Sequence, residues 1–327
     1  MATISTMTWL VTGGAGYIGS HVVKAFAEAD IDVVALDSLA TGRADFLPAD
    51  VPLVVGSVLD GPLVASTLEE HEISGVVHLA AYKYAGESVR RPLHAYAENI
   101  SGTITLLQQM EAVGVDRIVF SSSAATFGTP TTDLVTERTP VDPESPYGRS
   151  KLVGEWIIAD QARASDLLHT SMRYFNVVGS GDPKIYDVSP YNLFPLVFRA
   201  LAAGEAPKIF GDDYDTPDGT CVRDYIHVSD VALAHVRAAE SLDEGSVLEP
   251  VYDLGSGEGI SVAAIMSTVA KVTGIDFQPE VVPRRLGDPD RIVASGQLAA
   301  RDLDWTMRHS LVDMVESAWE AFRLSGE

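Results

Sequence analysis

A doubly wound, Rossmann-type parallel α/β sheet with a smaller C-terminal α/β lobe follows from three features of the chain. Short, nearly continuous apolar runs alternate with helical patterns through the first half, and a glycine-rich turn joins the first run to the first helix. Past about residue 180 the texture shifts to loops rich in Gly, Pro and Asp. Parallel strands buried on both faces read as uninterrupted apolar runs, and strand–helix alternation builds doubly wound sheets.

The strands predicted in order are TWLVTG (8–13), DVVALDS (32–38), PLVVGS (52–57), GVVHLAA (75–81), DRIVFSSS (116–123) and HTSMRYFNVVG (169–179). Between them, HVVKAFAEAD (21–30) and SGTITLLQQMEAVG (101–114) read as helices. GSGDPKIYDVSP and FGDDYDTPDGTC then supply loops over the crevice of the sheet. VRDYIHVSDVALAHVRAAE (222–240) reads as a strand followed by a helix that returns to the first lobe. This divides the chain into a dinucleotide-binding part, 1–180, with a return segment near 222–255, and a substrate part, 181–327.

Composition excludes several partners. With 46% hydrophobic and 21% charged residues the chain has the makeup of an ordinary globular protein. A net charge of −23 offers no basic surface for nucleic acid or for an anionic membrane. Cys221 is the single cysteine, so an intramolecular disulfide is impossible and a cytoplasmic setting is expected. The eight His residues show no ligand spacing, so no metal is expected.

TGGAGYIGSH (12–21) spaces Gly13, Gly16 and Gly19 as GxxGxxG after a strand and before a helix. Glycines there allow a tight turn and close approach of backbone to a pyrophosphate, with helix N–H groups facing the anion. A plain strand–helix turn is the alternative. Asp37 ends the second strand, near the ~20-residue offset at which a carboxylate meets an adenosine ribose. A carboxylate there accepts from a 2′-hydroxyl and repels a 2′-phosphate, favouring NAD over NADP, although Arg43 lies nearby.

SPYGRSK (145–151) opens a helix with a Ser N-cap and Pro at the first position. Tyr147 and Lys151, four residues apart, share a face. They read either as a surface Tyr over a Lys stem or as a phenol made basic by an ammonium. Bringing a Tyr from pKa ~10 to ~7 needs about 4 kcal/mol. An ammonium ~6 Å away at an effective dielectric of ~20 supplies about 3 kcal/mol. Ser121, Ser122 and Ser123 close the fifth strand, at the edge where ligands sit in such sheets.

Those motifs, with DSLATG, YKYAGESV, FSSSAATFG, MRYFNVVG, IFGDDYDTPDGTCVRDYIHV and RRLGDPDR, run almost end to end. In this order the chain resembles the extended short-chain dehydrogenase/reductase superfamily and, within it, the UDP-glucose 4-epimerase family. The resemblance implies NAD as cofactor, a UDP-sugar as substrate and a homodimer built on two helices of the first lobe. It makes Tyr147 the base at the sugar 4-hydroxyl, Lys151 the holder of the nicotinamide ribose, and Ser123 the partner of the reacting oxygen. Tyr17, Ile18, Asp37, Leu79, Ala80, Ala81 and Lys83 would line the cofactor, joined by Asn99, Phe175 and the Ser57–Val58 pair. Asn176, Asn192, Leu193, Ile209, Phe210, Arg223, Arg285 and Asp288 would meet the nucleotide sugar, with Ile292 walling the sugar.

Four positions depart from the family pattern: Ser57 for an adenine-binding Asp, Glu98 for an Asn, Phe127 for a Tyr and Leu286 for a Pro. None touches the Ser, Tyr, Lys set. Ala124-Ala125 replaces the acidic pair expected of a 4,6-dehydratase. The remaining alternatives are a 4-epimerase of an N-acetylhexosamine, pentose or uronic acid, and a non-catalytic NAD-binding regulatory protein.

Overall fold

The structure, a computed structural model, describes residues 7–285 and 289–326. Its centre is a seven-stranded, wholly parallel sheet. Six strands are β1 (Thr8–Thr12), β2 (Asp32–Asp37), β3 (Leu53–Val55), β4 (Ile73–His78), β5 (Arg117–Ser121) and β6 (Leu168–Tyr174), and the seventh is Val251–Leu254. The spatial order is β3-β2-β1-β4-β5-β6 and then Val251–Leu254, so the winding reverses between β1 and β4. Ligands in such sheets bind outside the carboxyl ends at that reversal.

Alternation within the apolar runs explains both faces. Trp9, Val11, Ala35, Val77 and Val119 enter one core with Val22 and Phe26. Leu10, Val34, Leu36, Val76, Ile118 and Phe120 enter the other with Leu106 and Ile158. Residues in the middle of β1, β2, β4 and β5 therefore bury their side chains whichever way they point, which is why those runs are nearly continuous.

Two predicted boundaries shift for identifiable reasons. The first helix starts at Tyr17, with Gly16 at the N-cap, rather than at residue 21. The run 169–179 is two strands: β6 ends at Tyr174, and Asn176–Val178 leaves the sheet to pair in parallel with Tyr225–His227.

Beyond β6 the chain enters a third apolar cluster built from Phe194, Phe198, Ile209, Ile265 and Met314. It then returns. The Val228–Asp243 helix packs on the Tyr17–Glu28 helix, and Trp9 Nε1 donates to Asp243 Oδ2 at 2.9 Å. Val251–Leu254 then pairs with β6, Tyr252 opposite Met172. Among the described residues no helix is long and apolar enough to cross a membrane, and no group of three or more His, Cys, Asp or Glu is placed to hold a metal.

Candidate active site

The chemical end is made where β5 meets the Pro146–Ala164 helix. Ser145 caps that helix by accepting from Gly148 N at 3.1 Å. Gly148 permits a close approach, because a Cβ there would lie 2.4 Å from the Ala125 carbonyl oxygen. Tyr147 N donates to Ser88 Oγ at 3.0 Å, fixing the helix start to the segment that follows β4. One turn on, Lys151 is buried, and its Nζ donates to the Ser121 carbonyl at 2.7 Å. That ammonium nitrogen lies 6.0 Å from the Tyr147 ring centre, and the Ser123 hydroxyl is hydrogen-bonded to the Tyr147 phenol.

The electrostatics differ from the expectation that Lys151 makes Tyr147 basic. Burial pushes the Tyr147 phenol above its ordinary value, and the Ser123 hydrogen bond offsets part of that. Lys151 is itself lowered to about 7 by desolvation, with Glu155 acting in the opposite direction. An amine half-charged near neutrality cannot supply the full ~3 kcal/mol of a permanent ammonium.

A further turn along the same helix face stands Glu155. It accepts from Ser122 Oγ and is gripped by Arg173 of β6 through two bonds, Nε–Oε1 at 2.8 Å and Nη2–Oε2 at 2.6 Å. Both side chains are only 6% exposed, so this is a buried, bidentate charge pair, with Arg173 Nη1 left buried without a hydrogen-bond partner.

The turn after β1 fits a dinucleotide. Gly13 has φ +71°, and a Cβ on it would lie 2.8 Å from Ala80 N. A Cβ on Gly19 would lie 2.0 Å from the Gly13 carbonyl oxygen. Gly16, at the N-cap, makes no side-chain cap, which leaves the first-turn N–H groups to an anion. Asp37 accepts from Ala15 N at 3.0 Å and Leu39 N at 2.7 Å. Burial raises its pKa, while those backbone bonds hold it down. Arg43 turns elsewhere: its guanidinium binds Asp45 and donates to Tyr186 Oη at 2.7 Å.

Leu79, Ala80 and Ala81 carry the chain off β4 over the Gly13 turn, with Leu79 N donating to Thr12 O and Ala80 N to Thr12 Oγ1. Asn99 holds this loop in place. It accepts from Tyr82 N at 2.6 Å, and its amide donates to Tyr82 O and Ser150 Oγ. Ser57 Oγ accepts from Leu59 N at 3.2 Å, whereas the Val58 side chain is buried in the core cluster. Phe175 stacks on Phe127 with ring centres 6.4 Å apart.

A cavity of about 810 Å³ opens beside the Ser123–Tyr147 pair, while the glycine turn, Asp37, Ser57, Val58, Leu79, Ala80, Ala81, Asn99 and Lys151 lie off its described lining. Tyr17, Ile18, Lys83, Ser123, Tyr147 and Phe175 line one end. Asn176, Asn192, Leu193, Ile209, Phe210, Arg223 and Arg285 line the rest. Arg285 lies with its guanidinium carbon 4.0 Å from the Phe210 ring centre. Asp288 and Leu286 fall outside the described residues. Ile292, expected as the sugar wall, is off the described lining. It sits in the two-residue strand Arg291–Ile292, whose alternation turns it into a cluster with Phe127, Val135 and Ala294.

Residues 9–255 match the model described as the NAD dependent epimerase/dehydratase family. The chain belongs to that family. The chain is 43% identical over 320 residues to a UDP-glucose 4-epimerase of Corynebacterium glutamicum, covering 96% of the chain and 95% of the relative. A crystal structure of a UDP-glucose 4-epimerase superposes with a TM-score of 0.94 at 39% identity, covering 98% of each chain. A second, from Stenotrophomonas maltophila with bound NAD and formylated UDP-arabinopyranose, gives 0.93 at 39% identity over 98% and 99%.

Sequence reasoning about this family member missed Glu155, Arg173, Glu87 and Tyr191. Glu155 was readable, since Tyr147, Lys151 and Glu155 recur every fourth residue on one helix face. A lone Arg173 inside an apolar strand run was a signal too, because a charge there must find a partner. Tyr191 and Glu87 had no such signal.

Proposed function

We propose that this chain is a UDP-glucose 4-epimerase, interconverting UDP-glucose and UDP-galactose through a 4-keto sugar. One observation carries the reading. A single cavity runs from the Ser123–Tyr147 pair to a pair of guanidinium groups, Arg223 and Arg285. A base at one end and permanently charged planar donors at the other suit a sugar joined to a diphosphate.

NAD, when bound, supplies the acceptor and donor of the C4 hydrogen. The Gly13, Gly16 and Gly19 turn with Tyr17 and Ile18 would hold its pyrophosphate, Asp37 the adenosine ribose, and Lys83 and Lys151 the nicotinamide end. Leu79, Ala80, Ala81 and Phe175 would wall it, Ser57 and the backbone of Val58 would serve its adenine end, and Asn99 fixes the loop. Tyr147 takes the proton from O4 while Ser123 hydrogen-bonds that oxygen. After the keto sugar has turned over, Tyr147 returns the proton, so the sugar gains and loses nothing overall. Asn192 and Leu193 open the Leu193–Ala202 helix, whose free N–H groups favour the diphosphate. Asn176, Ile209, Phe210 and Asp288 complete the nucleotide-sugar contacts.

A cytoplasmic homodimer acting in galactose metabolism completes the reading. The dimer is supported by Leu93, 82% exposed, and Trp156, 57% exposed, on neighbouring helices of the first lobe. The test assays purified protein with a panel of UDP-sugars, reads its cofactor content at 260 nm and measures its mass by light scattering. UDP-glucose and UDP-galactose are expected to turn over fastest, on a dimer carrying its own NAD. Faster turnover of another UDP-sugar would reassign the substrate, and cofactor without any turnover would favour the regulatory alternative.

A further inference from the structure

Ile292 packs in an apolar cluster, and a large ring from another loop lines the cavity. Tyr191 lines the same cavity as Lys83, Ser123 and Tyr147 and is 52% exposed. It comes from the loop before the Leu193–Ala202 helix, yet its partners come from the segment after β4, across the crevice. The Tyr84 ring meets it edge-on, with centres 5.3 Å apart at 76°. Its hydroxyl donates to Glu87 Oε1 at 3.3 Å, while Glu87 Oε2 accepts from Tyr82 at 2.6 Å. Tyr82 is braced in turn, its ring packing edge-on against Tyr84 and His94.

We infer that Tyr191, held from across the cavity by Tyr84 and Glu87, is the wall that limits the sugar end and so sets which UDP-sugars fit. The inference rests on the epimerase reading above. The placement follows from the neighbours: Glu87 immediately precedes Ser88, which accepts the Tyr147 backbone N–H at 3.0 Å. The clasp is thereby fixed to the start of the helix that presents Tyr147, so its distance from the reacting oxygen is set by rigid elements. Tyr84 and Glu87 are positioning residues, acting through Tyr191. A ring held by one edge contact and one long hydrogen bond is a yielding wall, so discrimination is graded.

The test measures kcat/KM for UDP-glucose and for a UDP-N-acetylhexosamine in the parent, Tyr191→Ala, Tyr191→Phe and Tyr84→Ala. Removing the ring should raise the acetamido-to-glucose ratio about 10-fold or more, within the ~10–200-fold that one apolar contact controls. Tyr84→Ala, which leaves the wall present but unbraced, should raise the ratio less, and Tyr191→Phe should keep it within about threefold. A ratio unchanged in Tyr191→Ala, with melting temperature preserved, overturns the inference. So does a general loss of kcat on both sugars with no change in their ratio. A parent that epimerises no UDP-sugar sinks the proposed function instead, which separates the two failures.

Discussion

Lys151 and Arg285 are two basic side chains of the candidate site, Arg285 on the cavity lining and Lys151 off it, and they are held in opposite ways. Lys151 is buried at a strand end, donates to a backbone carbonyl and has its charge set by desolvation and by Glu155. Arg285 is exposed on a loop and leans on the Phe210 ring. Around Lys151 the contacts come from regular elements: Phe120 and Ser121 of β5, and Tyr147 and Glu155 of its own helix. Arg285 and Tyr191 themselves sit on loops and reach across to single partners, Arg285 to the Phe210 ring and Tyr191 to Tyr84 and Glu87. The first region fixes atoms for proton transfer and tolerates little change. The second must grip a diphosphate while the sugar between turns over, so it is assembled from contacts that give.

The largest expected effect lies at the buried end. Tyr147→Phe keeps the ring and the packing but removes the base, so kcat should fall at least ~100-fold, the lower range for a general base. Cofactor read at 260 nm should stay with the protein. Near-normal turnover would erase the distinction between the two regions.

At the exposed end, Arg285→Ala should raise KM about 10-fold or more, the scale of a hydrogen bond to a charged group. Its kcat should move within about threefold, and thermal stability should hold, because the side chain is exposed. A kcat loss matching that of Tyr147→Phe would show that the grip is part of the chemistry.

The smallest effect sharpens the contrast in stability alone. Both carboxylate oxygens of Asp253 are buried without a hydrogen-bond partner. Burial first, and then the nearby Glu137, pushes its pKa well above the ordinary value, against the pull of Arg173. The folded chain therefore keeps this proton to higher pH than the unfolded chain, so the group destabilises increasingly as pH rises above ~4. Asp253→Asn should raise the melting temperature by about 2 °C or more at pH 8. The gain should shrink as the pH falls toward 4. Equal melting at both pH values would mean that Asp253 is compensated.

The fold and the chemical end were legible because they rest on periodic patterns. The apolar runs are continuous since both sheet faces are covered, and the Tyr147–Lys151 spacing is one helical turn. What escaped was set by tertiary context. The direction of the Tyr147 shift depends on burial, which the spacing of two residues does not encode. Ile292 was placed by counting along a loop, but its facing is decided by a two-residue pairing with Val222–Arg223. Tyr191 meets Glu87 across 104 residues of chain, and no local pattern carries such a contact.

The place of Val251–Leu254 at the edge of the sheet also bears on how the protein is made. On the ribosome, β6 emerges with its outer hydrogen-bonding edge open, and it stays open until residue 254 has followed. The stretch translated in the meantime includes the helix and strand that carry Leu193 and Phe210. The first lobe therefore cannot finish before much of the second has been synthesised, and closing so long a loop makes that last pairing slow. The two sides of the cavity mature as one event, and no single peptide bond divides the chain into a finished cofactor half and a finished sugar half.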